Sequence, residues 1–427
     1  MLRAFRPAQR LVLRWRYRRY LNELARRVPA GTGPRILVIN HHFDQDIEAL
    51  TSSCAGAFQF LVVECMPFFN EALLFFRTDA DRDGVIPYGE ISAETRREYR
   101  RVCWRLFAEL QDVFPFEIIV MPSDSFWWIR EFLAVAAERG VTRVVLDKEG
   151  TISPYSFEVH AAQIRDKFPF MSDRLLVWSE RQREFWMRTG VPGERISVVG
   201  QPRSDFFFSK DRWRSKEALG FEAGRRMVLF FTFDVDAYIN LYPADEVERE
   251  SLTWVPLRND VHEVLLAFAR THPTVDVVVK VHPQQSDVEV VRRWFQDAGL
   301  ANVRVMQGAD VSNHLIVNAD LIVGFQTTAL TEALLTDKPV VYVGWGATEP
   351  KVRDQLIPFH QCEGLERAGS RERFVGILDD WFDGRPAGGD RTKRRAFTDA
   401  YLGADGKACA RLREALEGIV RSRAVAR

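Results

Sequence analysis

The chain of 427 residues lacks the short motifs that identify the commonest nucleotide enzymes. It has no Gly-x-Gly-x-x-Gly after a first strand and no Gly-Lys-Ser/Thr phosphate loop, which argues against ordinary dinucleotide and P-loop enzymes. No apolar run approaches the length of a membrane span, and no long-period repeat is visible. Because 59 basic and 59 acidic residues cancel, nothing in the net charge indicates a nucleic-acid partner.

Cysteine is scarce as well. The five cysteines are scattered, without a Cys-x-x-Cys pair and without a secretory leader ahead of them. We therefore expect a reducing, cytoplasmic environment with unpaired thiols. What is abundant is apolar sequence: 46% of the residues are hydrophobic, over a length that suits two well-packed domains.

Short β-branched runs alternate with helical stretches along most of the chain. The predicted strands fall into two series, 34–40, 58–64, 116–122, 142–147 and 173–179, then 227–233, 275–283, 302–308, 319–325 and 339–345. A charged stretch at 209–226 separates the two series. This pattern predicts two tandem Rossmann-like α/β domains with parallel sheets and a cleft between their carboxyl ends.

The predicted organisation has four parts. They are an amino-terminal basic segment (1–33), a first domain (34–208) with a helix–loop–helix insertion (68–114), a second domain (224–365) and carboxyl-terminal helices (366–427).

Residues 1–29 carry nine arginines and one glutamate, interleaved with apolar and aromatic residues. The interleaved residues are Leu11, Leu13, Trp15, Tyr17, Tyr20, Leu21 and Leu24. Such a helix could lie on an anionic membrane, here the inner face of the cytoplasmic membrane. It could equally pack its apolar stripe on the body of the protein, and the sequence leaves both alternatives open.

Two stretches of the second domain suggest a nucleotide site. The strand end "VVKVHP" is expected to bring Lys280 and His282 to the edge of the sheet, where they could contact a phosphate. The alternative is that His282 merely caps the strand before Pro283.

The second stretch, "GFQTTALTEALL", turns from a strand into a helix. Its helix start offers backbone N–H groups and hydroxyls to a diphosphate, and an acid one turn later could reach a ribose. The residues assigned to the nucleotide here are Gly324, Gln326, Thr327, Thr328 and Glu332. A plain N-cap would explain the threonines alone.

These stretches, together with "VWSERQREFWMRTGVPGERISVVGQPRSD" and "VSNHLIVNADLIVGFQTTALTEALLTDKPVVYV", resemble the GT-B fold transferases of bacterial surface polysaccharides. The most similar group is the CDP-glycerol glycerophosphotransferase-like and capsule carbohydrate proteins, over residues 34–365. The resemblance implies a CMP- or CDP-linked donor, a glycan or lipid-linked glycan acceptor, and no metal at the donor site. His282 matches a histidine that contacts the donor phosphate, whereas Lys280 replaces the usual arginine.

In the first domain, "VVLDKEGTISP" places two carboxylates where many of these relatives carry His-Gly. A carboxylate there could take the proton from an acceptor hydroxyl. We predict Glu149 as this base and Asp147 as the second choice. The alternative is that Glu149 caps the next helix.

Residues 79–90 match the calcium loop of an EF-hand. Asp79, Asp81, Asp83, Gly84 and Glu90 fill positions one, three, five, six and twelve, and Val85 would offer its carbonyl at position seven. Four converging carboxylates repel one another unless a cation joins them. We predict one structural Ca²⁺ between two helices, against the alternative of a solvated acidic turn.

The sequence therefore predicts a transferase that moves a glycosyl or polyol-phosphate group to a surface glycan. Four rival interpretations remain. The predicted calcium loop contains Asp-x-Asp twice, and the pattern recurs at Asp234 and Asp236. Such a pair would suit a metal-dependent GT-A transferase or a haloacid dehalogenase phosphatase, although neither fits two tandem domains. A nucleotide-sugar 2-epimerase-like hydrolase would share the fold. A calcium-regulated scaffold would have no activity.

Overall fold

The computed structural model describes residues 6–75, 90–148, 153–237, 239, 252–282, 285, 287–308, 311–385 and 390–426. The chain divides into two compact units. The first comprises Met1–Gly150, Glu158–Arg203 and Lys407–Arg427, and the second comprises Thr151–Phe157 and Ser204–Gly406. Each unit contains a parallel sheet of six described strands with helices around it, so the predicted fold class of two α/β domains is confirmed.

The first unit is built on strands β1 to β6. They are β1 (Arg35–Asn40), β2 (Gln59–Glu64), β3 (Ile118–Met121), β4 (Thr142–Leu146), β5 (Arg174–Val177) and β6 (Ile196–Val198). Their order is β2-β1-β3-β4-β5-β6, and all the pairings are parallel. The chain therefore leaves β1 in one direction and returns to its other side at β3, which makes the β1–β3 boundary a topological switch point.

Helices connect these strands and cover the sheet. They are α1 (Arg6–Ala25), α2 (Asp44–Ser53), α3 (Met66–Ala72), α4 (Ala93–Val113), α5 (Arg130–Glu138), α6 (Ala161–Lys167) and α7 (Glu180–Arg188). The strands are nearly continuous apolar runs because helices cover both faces of a parallel sheet. On one face, Ile36, Val38 and Val120 pack against Ile47 and Leu50 of α2 in a fully buried cluster.

Helix α1 lies on the first unit through its carboxyl-terminal half. Tyr17, Leu21 and Leu24 are buried, and the Tyr17 hydroxyl donates to the carbonyl of Leu106 on α4 at 3.2 Å. Trp15 is 62% exposed. Three of the seven interleaved residues thus pack on the protein, as the second alternative requires. No helix in the described part of the chain is long and apolar enough to cross a membrane.

The second unit repeats the architecture with strands β7 to β12. They are β7 (Arg226–Phe231), β8 (Val275–Lys280), β9 (Val303–Met306), β10 (Leu321–Gly324), β11 (Val340–Val343) and β12 (Glu366–Ala368). Their order is β12-β11-β10-β7-β8-β9, and the pairings are again parallel. The switch point of this sheet is the boundary between β7 and β10.

Eight described helices lie between or after the strands of the second series. They are α8 (Val255–Thr271), α9 (Val288–Gln296), α10 (Ser312–Asn318), α11 (Thr328–Ala333), α12 (Thr348–Val352), α13 (Arg371–Phe382), α14 (Arg391–Tyr401) and α15 (Ala408–Ala426). Helix α15 belongs to the first unit, where Leu412, Leu416 and Ile419 join the buried cluster under α2.

The cysteines form no disulfide, in agreement with the expected thiols. Cys54, Cys65, Cys103 and Cys362 are buried, and Cys409 is half-buried. Burial raises the pKa of each buried thiol and keeps it protonated near neutral pH.

Candidate functional site

The carboxyl edge of the second sheet brings together segments that follow β7, β8 and β10. Thr232 and Asp234 follow β7, His282 follows β8, and Thr327 follows β10. Since β7 lies between β10 and β8, these residues share one edge at the switch point of the sheet. In open parallel sheets this is the position where ligands bind.

His282 lies exposed at this edge. Its backbone N–H donates to Thr232 Oγ1 at 3.3 Å. Partial desolvation of the ring and the ammonium of Lys280 lower the pKa of His282, and the carboxylate of Asp234 opposes them. The imidazole is therefore mainly neutral at pH 7, and a nearby anion would favour its protonation.

A chain of buried and half-buried polar side chains holds the segment after β8 in place. The Thr232 hydroxyl hydrogen-bonds to Gln285 Oε1, and Gln285 Nε2 donates to Asp287 Oδ1 at 2.8 Å. Arg258 of α8 completes the chain with an ion pair to Asp287. This chain, which we call the Thr232–Arg258 relay, fixes the backbone on which His282 is carried.

Lys280 does not reach the surface of this edge. The side chain is 2% exposed, and Nζ donates to the carbonyl of Val281 at 2.8 Å. The ammonium thus affects His282 electrostatically from inside the sheet. A direct contact between Lys280 and a phosphate stays a prediction.

The predicted helix start after β10 is confirmed. Thr327 is the N-cap of α11, and its hydroxyl accepts a hydrogen bond from the N–H of Ala329 at 3.3 Å. Helix α11 has six residues, and Glu332 in its second turn is buried. The N-cap alternative therefore explains Thr327 without a ligand. Thr328, the first residue of α11, is half-buried, and the N-cap does not explain it.

Gln326 and Gly324 have roles in the fold itself. Gln326 is buried, accepts from the N–H of Ile357 at 2.7 Å, and donates to the Ile357 carbonyl and the Tyr342 hydroxyl. A Cβ on Gly324 would lie 3.1 Å from a methyl carbon of Leu330. Both residues shape the turn at the end of β10, and their contact with a nucleotide stays a prediction.

In the first unit, Asp147 lies buried at the end of β4. Its Oδ2 accepts hydrogen bonds from Gln182 Nε2 at 2.9 Å and from Trp186 Nε1 at 2.6 Å. Gln182 in turn accepts from the N–H of Trp178. This geometry favours a structural role for Asp147, which ties α7 to the sheet. Glu149, the preferred base, lies outside the described residues.

Most of the predicted calcium loop also lies outside the described residues. This applies to Asp79, Asp81, Asp83 and Val85. Glu90 is exposed, and α4 begins three residues later with the Ser92 hydroxyl as its N-cap. Over the described ranges, no group of three acidic, histidine or cysteine side chains could hold a metal ion. The Ca²⁺ site therefore stays a sequence-based prediction.

Sequence motifs did not predict a role for the relay residues Gln285 and Asp287 or for the histidines His41 and His42. Both pairs have a local signal, because "HPQQSD" and "NHHFD" are polar runs that directly follow a buried strand. Parallel sheets place such runs at the ligand-binding edge. Whether such a run lies at the switch point of its sheet depends on the strand order, and local sequence does not give that order.

Several solved structures are similar to this chain over most of its length. Similar structures include an enzyme assigned as UDP-N-acetylglucosamine 2-epimerase from Listeria monocytogenes, with TM-score 0.56, 13% identity, and coverage of 92% of this chain and 98% of that one. The chain shares their fold. The UDP-GlcNAc 2-epimerase of Neisseria meningitidis, solved with UDP-GlcNAc, has TM-score 0.52, 11% identity, and coverage of 91% and 100%. S. aureus MnaA, solved with UDP, has TM-score 0.54, 12% identity, and coverage of 91% and 97%.

No protein-family model matches the chain, and no curated protein matches it by sequence. At 11 to 13% identity the similarity concerns the fold, which is the predicted GT-B type.

Proposed function

We propose that the chain is an enzyme that acts on a nucleotide-activated sugar and binds the nucleotide diphosphate at the carboxyl edge of the second sheet. The observation that carries the proposal is His282, an exposed histidine whose backbone N–H is held by the Thr232–Arg258 relay at the switch point between β7 and β10. Fold similarity to proteins solved with UDP and UDP-GlcNAc supports this choice of ligand.

The chemistry that such a site serves is cleavage of the bond between the anomeric carbon and the diphosphate. The electron pair of that bond leaves with the diphosphate, whose growing negative charge needs hydrogen-bond donors. A neutral His282 can donate one such hydrogen bond, and a protonated one adds a positive charge. We propose uridine nucleotides as the first candidates, with the cytidine nucleotides implied by the sequence resemblance as the second.

Two reactions are compatible with this binding site. The sequence resemblance favours transfer of the sugar to a glycan acceptor. The names of the structural neighbours favour 2-epimerisation, which inverts one carbon of the sugar and needs no acceptor. Proton NMR of the protein with UDP-GlcNAc separates them: turnover without acceptor supports an epimerase or hydrolase, whereas turnover that requires an added glycan supports a transferase.

Isothermal titration tests the nucleotide site directly. UDP, CDP and GDP should be compared on the wild-type protein, then on His282→Ala and on the matched control His360→Ala, an exposed histidine of the same unit. Loss of a hydrogen bond to a charged phosphate should weaken binding about 10- to 100-fold in His282→Ala. Equal affinity in both variants, or no nucleotide binding at all, would contradict the proposed site.

A further inference from the structure

The first unit contains a cavity at the end of its sheet that lies opposite the carboxyl edge. The residues that line it come from one face of α4, from the segments that lead into β3 and β4, and from Arg423 of α15. All of them belong to the first unit. The cavity volume is about 490 Å³, within the range of about 300 to 1,000 Å³ that is usual for small-molecule sites. Because ligands of open parallel sheets bind at the carboxyl edge, a ligand here would occupy a separate site.

Aromatic rings form part of the cavity wall. Phe107 and Phe116 are buried, and their ring centroids lie 5.3 Å apart in a T-shaped pair. Trp104, one turn before Phe107 on α4, is half-buried. The guanidinium of Arg139 lies over the Trp104 ring, 4.2 Å from its centroid. A guanidinium supported by an aromatic face is preorganised for planar hydrogen bonding to a ligand.

Arg423 fixes another part of the wall. Its Nη1 donates to the carbonyls of Glu117 and Gly140 at 2.8 and 2.9 Å, and to Thr142 Oγ1 at 2.6 Å. These acceptors lie at the amino ends of β3 and β4, so α15 ties together the two segments that line the cavity. Contacts within the fold therefore hold the wall in shape, as is usual for a small-molecule site.

Polar groups of the wall have hydrogen-bonding capacity left for a ligand. Among the described residues, neither the carboxylate of Asp112 nor the indole N–H of Trp104 has a hydrogen-bond partner, and Arg139 makes no ion pair. Gln111 Nε2 donates to the carbonyl of Phe116 at 2.9 Å, which leaves its Oε1 as an acceptor. The wall thus offers both donors and acceptors beside its aromatic rings.

The charges of the wall favour a ligand without net charge. The two basic side chains, Arg139 and Arg423, are balanced by Asp112 and Glu117. A phosphate group would meet both carboxylates, and an aliphatic chain would leave charged groups desolvated without partners. Over the described ranges, no group of three acidic, histidine or cysteine side chains could hold a metal ion. A neutral planar heterocycle with donors and acceptors along its edge fits these groups.

Guanine is such a heterocycle. Arginine donates to O6 and N7 of guanine as a bidentate pair, and a carboxylate accepts from its N1–H and its exocyclic amine. Aromatic side chains stack on the flat faces of bases. Adenine lacks both the O6 acceptor and the N1–H donor, so it would satisfy Arg139 and Asp112 less completely.

We propose that this cavity binds a guanine nucleoside, with Arg139 donating to the O6 and N7 edge and Asp112 accepting from the N1–H edge. The base packs against the aromatic part of the wall. The site lies in the first unit alone, and it does not depend on the nucleotide-sugar function proposed for the second unit. Because the ligand binds only the folded cavity, it stabilises the first unit.

Titration of the full chain with guanosine tests the site. Guanosine lacks a diphosphate, so it does not probe the proposed nucleotide site of the second unit. Calorimetry should detect binding, and the indole ¹H–¹⁵N signal of Trp104, assigned with Trp104→Phe, should shift to saturation. Adenosine should bind at least about 10-fold more weakly because it loses hydrogen bonds to charged partners. UDP should leave the Trp104 signal unchanged.

Two variants identify the partners of the base. Asp112→Asn and Arg139→Gln each remove one charged group at an exposed position, so both proteins should fold. Each should weaken guanosine binding about 10- to 100-fold. The matched controls Glu98→Gln and Arg97→Gln change exposed charges of α4 that do not line the cavity, and they should bind guanosine as the wild type does.

Several results would overturn the proposal. They are the absence of guanosine binding at millimolar concentration, saturation without a shift of the Trp104 signal, and wild-type affinity in both Asp112→Asn and Arg139→Gln. Equal affinities for guanosine and adenosine would also contradict it, because the guanine edge would then not be recognised. A failure of UDP to bind would count against the site of the second unit only, and the guanosine titration would still decide the cavity.

Discussion

His262 on α8 should make the second unit sensitive to acid. Its side chain is fully buried against the rings of Phe230, Trp294 and Phe295, with centroids 4.7 to 5.8 Å away. Neither ring nitrogen has a hydrogen-bond partner among the described residues. Burial, with a smaller effect of the Arg258 charge, lowers the pKa of His262 from 6.5 to about 3.

The direction of the effect follows from proton linkage. The folded state keeps His262 neutral down to about pH 3, whereas the unfolded chain binds a proton below about pH 6.5. The stability associated with the neutral ring is therefore present above pH 6.5 and is lost as the pH falls towards 3. At about 1.4 kcal/mol per pH unit below 6.5, the loss between pH 7 and pH 5 is about 2 kcal/mol.

The variant His262→Phe keeps a planar ring and removes both unpartnered nitrogens. It should stabilise the second unit by about 1 kcal/mol at pH 7 and eliminate most of the 2 kcal/mol loss at pH 5. Urea denaturation at the two pH values measures this, with His360→Gln as an exposed-histidine control. Two units can unfold separately, so each transition must be fitted by itself. An equal acid loss in wild type and His262→Phe would refute the reasoning.

Further predictions concern the relay, the β4 edge, the calcium loop and the amino-terminal helix. Asp287→Ala should leave Arg258 buried without its charge partner, so urea denaturation should show about 3 kcal/mol lower stability and titration should show weaker UDP binding. Unchanged stability and unchanged UDP affinity would show that the relay does not support the site. Asp147→Ala should lower the stability of the first unit by about 2 to 4 kcal/mol because two buried donors lose their acceptor. Lost turnover at wild-type stability would instead support Asp147 as the catalytic base. Calorimetry should detect Ca²⁺ binding that Glu90→Ala abolishes and a Ca²⁺-dependent rise in Tm; no heat at millimolar Ca²⁺ would leave an acidic turn. Trp15→Ala should weaken salt-sensitive binding to anionic liposomes, and identical binding by both proteins would favour a helix that only packs on the first unit.

Local sequence was sufficient for the strands that are apolar runs and for the helix start at Thr327. It missed β6 and β12, because three residues such as those of β12 (Glu366–Ala368) carry no apolar periodicity and are fixed by pairing with a neighbouring strand. It also gave no sign that α15 belongs to the first unit, since that assignment depends on contacts between residues far apart in sequence.

The site residues show the same limit. Lys280 and Asp147 were predicted from their positions at strand ends, where a charged side chain is expected to face a ligand. In the fold, the Lys280 ammonium hydrogen-bonds to the neighbouring carbonyl, and Asp147 accepts from two residues of α7. The packing of the helices decides which strand-end side chains turn inwards. Local sequence motifs do not contain that information.

The position of α15 affects how the chain can fold during synthesis. Leu412, Leu416 and Ile419 complete the buried cluster beneath α2, and Arg423 donates to the carbonyls of Glu117 and Gly140. The ribosome synthesises the strands of the first sheet early, but α15 leaves the ribosome only after the whole second unit has been translated. The first unit must therefore wait with an uncovered apolar surface, while the second, continuous from Ser204 to Gly406 apart from one short segment, can fold ahead of it.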